Sequence, residues 1–290
     1  MPLTAGPSRG WKVRISTVPQ FGRVCWVQRK CPGAPRHPHG PGLRVPSRKA
    51  SYWRADFLRR VRVVGAAPFA AAHPGRRVWI IGGPIWPGRS ECEYPACAAH
   101  EALINAVFAD RDAAILCPYD VAGLDGTAVR DAWRTHPVMV DDGARRSSED
   151  YIDPLVTAAG FNLPLPPGAA SMEYDSELRL AAVRRFLRGH ARGVLDADRA
   201  DDLVLAADEL TANTIEHSAG GGRITIWTEP GRLACQIDDG GHLRDPLAGR
   251  IVPLPRTAGG RGLILANQLC DLVRIHTTSD GTSIRLHMAC

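Results

Sequence analysis

The 290 residues contain no apolar run near the roughly 20 residues a membrane-spanning helix needs, so no such span is expected. They also lack any C-x-x-C pair. The eight cysteines (Cys25, Cys31, Cys92, Cys97, Cys117, Cys235, Cys270 and Cys290) are scattered, several inside apolar runs, as small core residues are. This pattern points to neither a zinc site nor a disulfide framework, and a reducing cytoplasm is the simplest setting. Acidic residues are almost missing from the first quarter: residues 1–75 hold 14 Lys/Arg and, of acids, Asp56 alone. The chain as a whole carries 36 basic and 30 acidic residues, a net charge of +6, so residues 76–290 carry about −7. The basic character therefore belongs to the N-terminal quarter, which argues against a nucleic-acid groove on the acidic body.

Residues 1–50 are rich in Pro, Gly and Arg, with one short candidate strand at 11–18 (WKVRISTV). They offer too little apolar surface to offset the entropy of ordering, so a disordered basic segment is expected. From residue 51 the pattern changes. The run 77–83 (RVWIIGG) reads as a buried strand and 96–109 (ACAAHEALINAVFA) as a helix with Ala99, Leu103, Ala106 and Val107 inward. A second strand (113–120), a second helix (124–136) and a third strand (137–143) follow. Alternating strands and helices predict a parallel α/β layer over 51–152. His100-Glu101 invites comparison with a phosphoacceptor helix. No basic residue and proline follow as that motif requires, so a structural or sensory-pocket histidine is the better reading. The segments GGPIWPGRS (82–90), HEALINAVFAD (100–110), LCPYD (116–120) and HPVMVDDGARRSS (136–148) resemble the MEDS sensory domain, over about 76–153. This resemblance covers roughly the second half of that domain. Residues 153–169, rich in proline and uncharged after Asp153, read as a linker to a domain at 170–290.

That last domain is organised around 203–217, LVLAADELTANTIEH. At helical spacing Leu203, Ala206, Ala207, Leu210 and Thr214 form one buried stripe. Glu209 and Asn213 sit one turn apart beside it, and His217 continues the row. An amide oxygen at that edge suits a hard cation such as Mg²⁺, which usually arrives with phosphate. The alternative is a solvated helix face. An amphipathic helix precedes at 177–194, with Leu180, Val183, Phe186 and Leu187 on one face, and Asp196 or Asp198 can cap the central helix. Two strands follow, 222–231 and 232–241, the second ending at Asp238-Asp239-Gly240-Gly241. A long aperiodic loop, 242–258, then runs into Gly259-Gly260-Arg261-Gly262-Leu263 and a helix, and two strands flank Asp280-Gly281. A carboxylate at a strand tip can accept from an exocyclic amine, and a glycine turn opening a helix offers free N–H groups to phosphate. A long loop between them can close as a lid.

Taken in order, DELTANTIEH (208–217), IDDGG (237–241) and GGRGL (259–263) resemble the N box and the two glycine boxes of the GHKL ATPases, most closely the small anti-sigma-factor kinases of the RsbW type. The resemblance implies a mixed sheet with helices on one face. It assigns Asn213 to Mg²⁺, Asp238 to the adenine amino group and Gly240 to the ring. It gives Gly260, Arg261 and Gly262 to the phosphates, Thr282 to adenine through water, and Glu209 the role of general base. The expectation is a cytoplasmic ATP–Mg²⁺-binding regulator, engaging a sigma factor or an anti-sigma antagonist and acting as a serine/threonine protein kinase. The rival is a non-catalytic switch in which ATP only sets the lid. Self-association as a homodimer is left open; neither membrane nor nucleic acid is expected as a partner.

Overall fold

The computed structural model describes residues 3–4, 12–13, 24–28, 72, 75–110, 112–141, 144–243, 245, 248–249 and 261–290. Two compact units are present, the main body of one being Ala70–Thr157 and of the other Ala158–Cys290. The expectation of disorder in 1–50 falls almost wholly outside the described residues; three short strands there, β1 (Leu3–Thr4), β2 (Lys12–Val13) and β3 (Val24–Gln28), are described.

In the first unit the chain runs β4 (Val78–Ile81), α1 (Tyr94–Val107), β5 (Ala113–Pro118), α2 (Gly126–Thr135), β6 (Val138–Asp141) and β7 (Ala144–Ser147). β4 and β5 pair in parallel, as a strand–helix–strand unit must. The sheet order is β4-β5-β3-β6-β7, and β3 lies antiparallel between β5 and β6. The layer is therefore mixed rather than parallel throughout, because a strand from the N-terminal quarter enters it. α2 begins where Asp125 accepts from the amides of Thr127 and Ala128 at 2.7 and 2.8 Å. Asn105 on α1 donates to the Thr135 carbonyl at 2.8 Å, fixing α1 against the end of α2. The middle of α1 is buried nearly all round, at Cys97, Ala98, His100, Glu101, Ala102, Leu103 and Ile104, whereas Ala99 and Ala106, expected inward, are half-buried. A helix covered on more than one side has no single stripe to read.

The second unit is β8 (Ala170–Tyr174), α4 (Glu177–Ala191), α5 (Ala197–His217), β9 (Gly222–Glu229), β10 (Arg232–Asp239), α6 (Gly262–Leu269), β11 (Leu272–Thr278) and β12 (Gly281–Ala289). The sheet order is β11-β12-β10-β9-β8, with every neighbouring pair antiparallel. The resemblance implies a mixed sheet, but two helices rather than one lie between β8 and β9, adding a third reversal of the chain, and those strands pair antiparallel. β10 and β11, joined through α6, run the same way, with β12 between them.

The pleat sorts the side chains. Leu233, Cys235 and Ile237 of β10 share one face with Leu286, Ile284 and Met288 of β12, and all are buried in the core with Leu203, Ala206, Ala207 and Leu210 of α5. Val183 and Leu187 of α4 are fully buried in the same cluster. Arg199 near the start of α5 reaches across to the end of α6, donating to the Leu269 carbonyl at 2.8 Å and to the Asp271 carboxylate. The other face of the sheet is polar. There Arg285 donates to Gln236 at 2.8 Å and stacks 4.8 Å over Trp227.

The stretch 153–169, read as a linker, holds a helix of its own, α3 (Pro154–Ala159). Past that helix its carbonyls bind the polar sheet face: Pro164 accepts from Arg285 at 2.6 Å, Leu163 from Gln236 at 3.3 Å and Asn162 from Arg274 at 3.3 Å. A segment hydrogen-bonded this way is part of the fold rather than a free tether.

Candidate functional site

The buried stripe of α5 holds: Leu203, Ala206, Ala207, Leu210 and Thr214 are all buried. Asp196 caps the helix by accepting from the Arg199 amide at 2.8 Å. Beside the stripe Asn213 is half-buried, while Glu209 and His217 are exposed. α6 begins against this edge. A Cβ on Gly262 would lie 2.8 Å from the Asn213 amide nitrogen and 3.6 Å from a Glu209 carboxylate oxygen. Glycine is thus the residue that lets the first turn of α6, with its unpaired N–H groups, come down beside the amide. Arg261, exposed, forms the N-cap position of that helix. Gly260 lies outside the described residues.

At the tip of β10 the two aspartates part company. Asp239 continues the row Leu233, Cys235, Ile237 and faces α5, accepting from the Thr214 hydroxyl at 2.9 Å and from the Gly241 amide at 2.7 Å. Asp238 points to the opposite, polar face, where it accepts from Gln236 at 2.7 Å and Ser283 at 2.5 Å. Its second oxygen, Oδ2, is buried with no partner. Asp238 thus lies on the face of the sheet away from α5, and it is Asp239, one residue on, that reaches the helix at Thr214, the neighbour of Asn213, because strand side chains alternate. The glycines shift in step. A Cβ on Gly240 would meet nothing within 4 Å, whereas on Gly241 it would lie 2.9 Å from Asp239 Oδ1 and 3.4 Å from Ser218 Cβ. Thr282, opposite Asp239 across the β10–β12 pair, is on the α5 side and donates to the Gly241 carbonyl at 2.8 Å. The motif reading did not single out Asp239, Gly241 or Thr214, which this geometry brings into contact. The period-two row of Leu233, Cys235 and Ile237 was the signal that points to them.

The loop leaving β10 is pinned at several of its described residues. The Leu243 amide donates to Thr277 at 3.1 Å, and Asn267 of α6 donates to the Gly249 carbonyl at 3.3 Å. Gly249 has φ +73° and packs under Leu263, where a Cβ would lie 2.7 Å from the leucine Cβ. Gly249 is thereby seated on α6.

Helix α5 thus adjoins both the Asp239 carboxylate and the first turn of α6. Residues 173–288 match the model of the histidine kinase-like ATPase domain. This segment is similar to that family. The ATPase domain accordingly takes in every site residue named above. Residues 54–137 match the model of MEDS, the methanogen/methylotroph DcmR sensory domain. That match begins earlier than the resemblance read from 76 onward and ends before 153. No curated protein matches the chain. Among solved structures, the chain is similar to the RsbU and RsbW domains of Rv1364c from Mycobacterium tuberculosis, at 17% identity and a TM-score of 0.33, over 71% of this chain and 50% of that one. It is similar to full-length ShkA in complex with AMPPNP (19% identity, TM-score 0.29, 47% of this chain and 34% of that one). It is also similar to the Acinetobacter baumannii histidine kinase AdeS (13% identity, TM-score 0.26, 47% and 73%). The chain spans about half the length of the first of these. Among the described residues no helix is long and apolar enough to cross a membrane.

Proposed function

We propose that the ATPase domain binds ATP with Mg²⁺ between Asn213, Asp239 and the start of α6, and passes a phosphoryl group to a serine or threonine of a protein partner. One observation carries the reading: Gly262 at the head of α6 lies against Asn213 and Glu209, while Asp239 is tied to Thr214 of the same helix. The residues present fit the ligand. An amide oxygen suits Mg²⁺, which would neutralise phosphate charge when bound. The free N–H groups of the first turn of α6 and the Arg261 side chain suit the phosphates. Asp239 keeps lone pairs for an exocyclic amine beyond those used by Thr214 and Gly241, and Thr282 lies beside it. We assign the adenine-facing carboxylate to Asp239 in place of Asp238. Glu209, exposed beside Asn213, is placed to accept the proton of an incoming hydroxyl.

A sigma factor or its antagonist is proposed as the partner on the strength of the N-box and glycine-box resemblance, and MEDS as the module that reports a signal. The test is transfer of label from ATP to candidate antagonists by the full chain, wild type beside Glu209→Ala. Transfer that the substitution abolishes supports the kinase. Binding of ATP without transfer overturns the kinase and leaves an ATP-gated switch. Absence of ATP-dependent thermal stabilisation, or its persistence in Asn213→Ala, overturns the site.

A further inference from the structure

The first unit gathers three metal-ligating side chains from three elements that the cysteine spacing alone did not connect. Glu101 comes from α1, Cys117 from β5, and His136 from the residue that ends α2. Their ligand atoms all lie within 4.8 Å of one another, and the three residues are 1%, 1% and 0% exposed. Cysteine spacing suggests no zinc site because it registers only ligands close in sequence; here the fold supplies them across 36 residues.

The geometry around His136 is specific. Its Nδ1 lies 2.9 Å from both the Thr135 hydroxyl and the Ala132 carbonyl oxygen; the carbonyl can only accept, which favours the proton on Nδ1 with Thr135 accepting as well. Its Nε2 lies 3.2 Å from Glu101 Oε2. Two electron-pair donors held at that distance need a positive species between them. A proton on Nε2 would satisfy that pair, but Cys117 brings a third ligand atom within 4.8 Å of both. Two nitrogen or oxygen ligands about 2.0–2.1 Å from a tetrahedral zinc ion are about 3.3 Å apart, close to the separation found here.

We propose that Glu101, Cys117 and His136 bind one zinc-like divalent cation inside the MEDS unit, leaving a fourth coordination position for water or a small donor molecule. The N, S, O donor set is that of zinc and not of magnesium or calcium, which take oxygens. A carboxylate and a thiolate balance the charge of the dication, so the ion adds no net charge to the interior. Binding releases the thiol proton to solvent, along with any proton on Nε2. The Nδ1–H to carbonyl bond is the outer-shell contact that orients a metal-bound imidazole. Three protein ligands with one open position is the pattern of reactive rather than purely structural zinc sites, and suits a module that reports a small molecule. All three residues fall in the segments HEALINAVFAD, LCPYD and HPVMVDDGARRSS that carried the sensory resemblance.

The experiment uses the full chain, expressed in medium supplemented with Co²⁺ or Zn²⁺, purified without chelator, and read by elemental analysis and visible spectroscopy. The expected result is about one metal ion per chain and, with Co²⁺, a sulfur-to-metal charge-transfer band. Cys117→Ser should abolish the band. Cys117→Ser and His136→Gln should each lower metal retention by more than about tenfold, since even outer-shell partners are worth that much. Cys92→Ser and Cys290→Ser should change neither. Metal-free wild type overturns the proposal whether or not the variants fold. So does metal that persists in folded Cys117→Ser and His136→Gln, or a band that disappears with Cys92 or Cys290.

Discussion

Substituting the two neighbouring aspartates separately puts the site assignment at risk. Asp239 serves a hydroxyl on α5 and the Gly241 amide, at 2.9 and 2.7 Å, and is assigned a third donor on the nucleotide. Asp239→Asn halves the number of acceptor oxygens and introduces an NH₂ that opposes an incoming amine. A hydrogen bond to a charged group contributes about 1.5–3 kcal/mol, so its loss should weaken ATP binding about 10- to 150-fold. Asp238 makes its bonds on the polar face, to Gln236 and Ser283. Asp238→Asn should leave affinity within about threefold and lower only stability, by about 0.5–1.5 kcal/mol. Titration calorimetry with ATP and Mg²⁺, at a temperature where circular dichroism shows both variants folded, reads the difference. Because Asp239 also holds its own loop, the nucleotide-free stability of each variant is measured alongside. If Asp238→Asn loses ATP while Asp239→Asn keeps it, the α5 side of the sheet is not the nucleotide side, and the assignment fails.

Gly262→Ala places a methyl 2.8 Å from the Asn213 amide, the movable end of a side chain. Fold stability should change by less than about 1 kcal/mol while ATP–Mg²⁺ affinity falls, since alanine favours the helix and the amide must rotate away; urea midpoints and calorimetry separate the two effects. Gly281→Ala meets backbone instead, 2.4 Å from the Asp239 carbonyl oxygen at φ +151°, and should cost about 1–3 kcal/mol in urea unfolding. His287, 2% exposed, has its pKa lowered to about 3 by burial and then by Arg285, Arg232 and Arg274. Glu229, whose carboxylate is 3.9 Å from the ring, does not outweigh them. The unfolded chain takes up a proton near pH 6.5 that the folded chain refuses until about pH 3, so stability is complete above pH 6.5 and falls as pH drops through that window. By pH 5 the loss from this residue should be about 2 kcal/mol. His287→Gln should flatten the wild-type difference between pH 7 and pH 5 in urea titrations.

What could be read from the chain, and what could not, follows from how far apart the cooperating residues lie. The stripe of α5 needs only its own 3.6-residue period, and all five residues assigned to it are buried. The face of β10 needs the two-residue period of a strand. There the apolar row Leu233, Cys235, Ile237 points to Asp239, while matching by motif letters points to Asp238. The proposed assignment follows the pleat and not the letters, because a one-residue slip moves a carboxylate to the other side of the sheet. The antiparallel strand β3 was not anticipated, since VCWVQ is short and its sheet partners, at 113–118 and 138–141, are nearly a hundred residues away. The docking of 162–164 on the polar face depends on carbonyls, which have no sequence signature at all. The Glu101–Cys117–His136 cluster lies between these cases. Each residue sits in a recognisable segment, but the three meet only because a parallel β4–α1–β5 crossover lays α1 over β5 while Asn105 holds the end of α2 against α1. Ligands that converge through topology are invisible to spacing rules, so the absence of a C-x-x-C pair was never evidence against a metal in this unit.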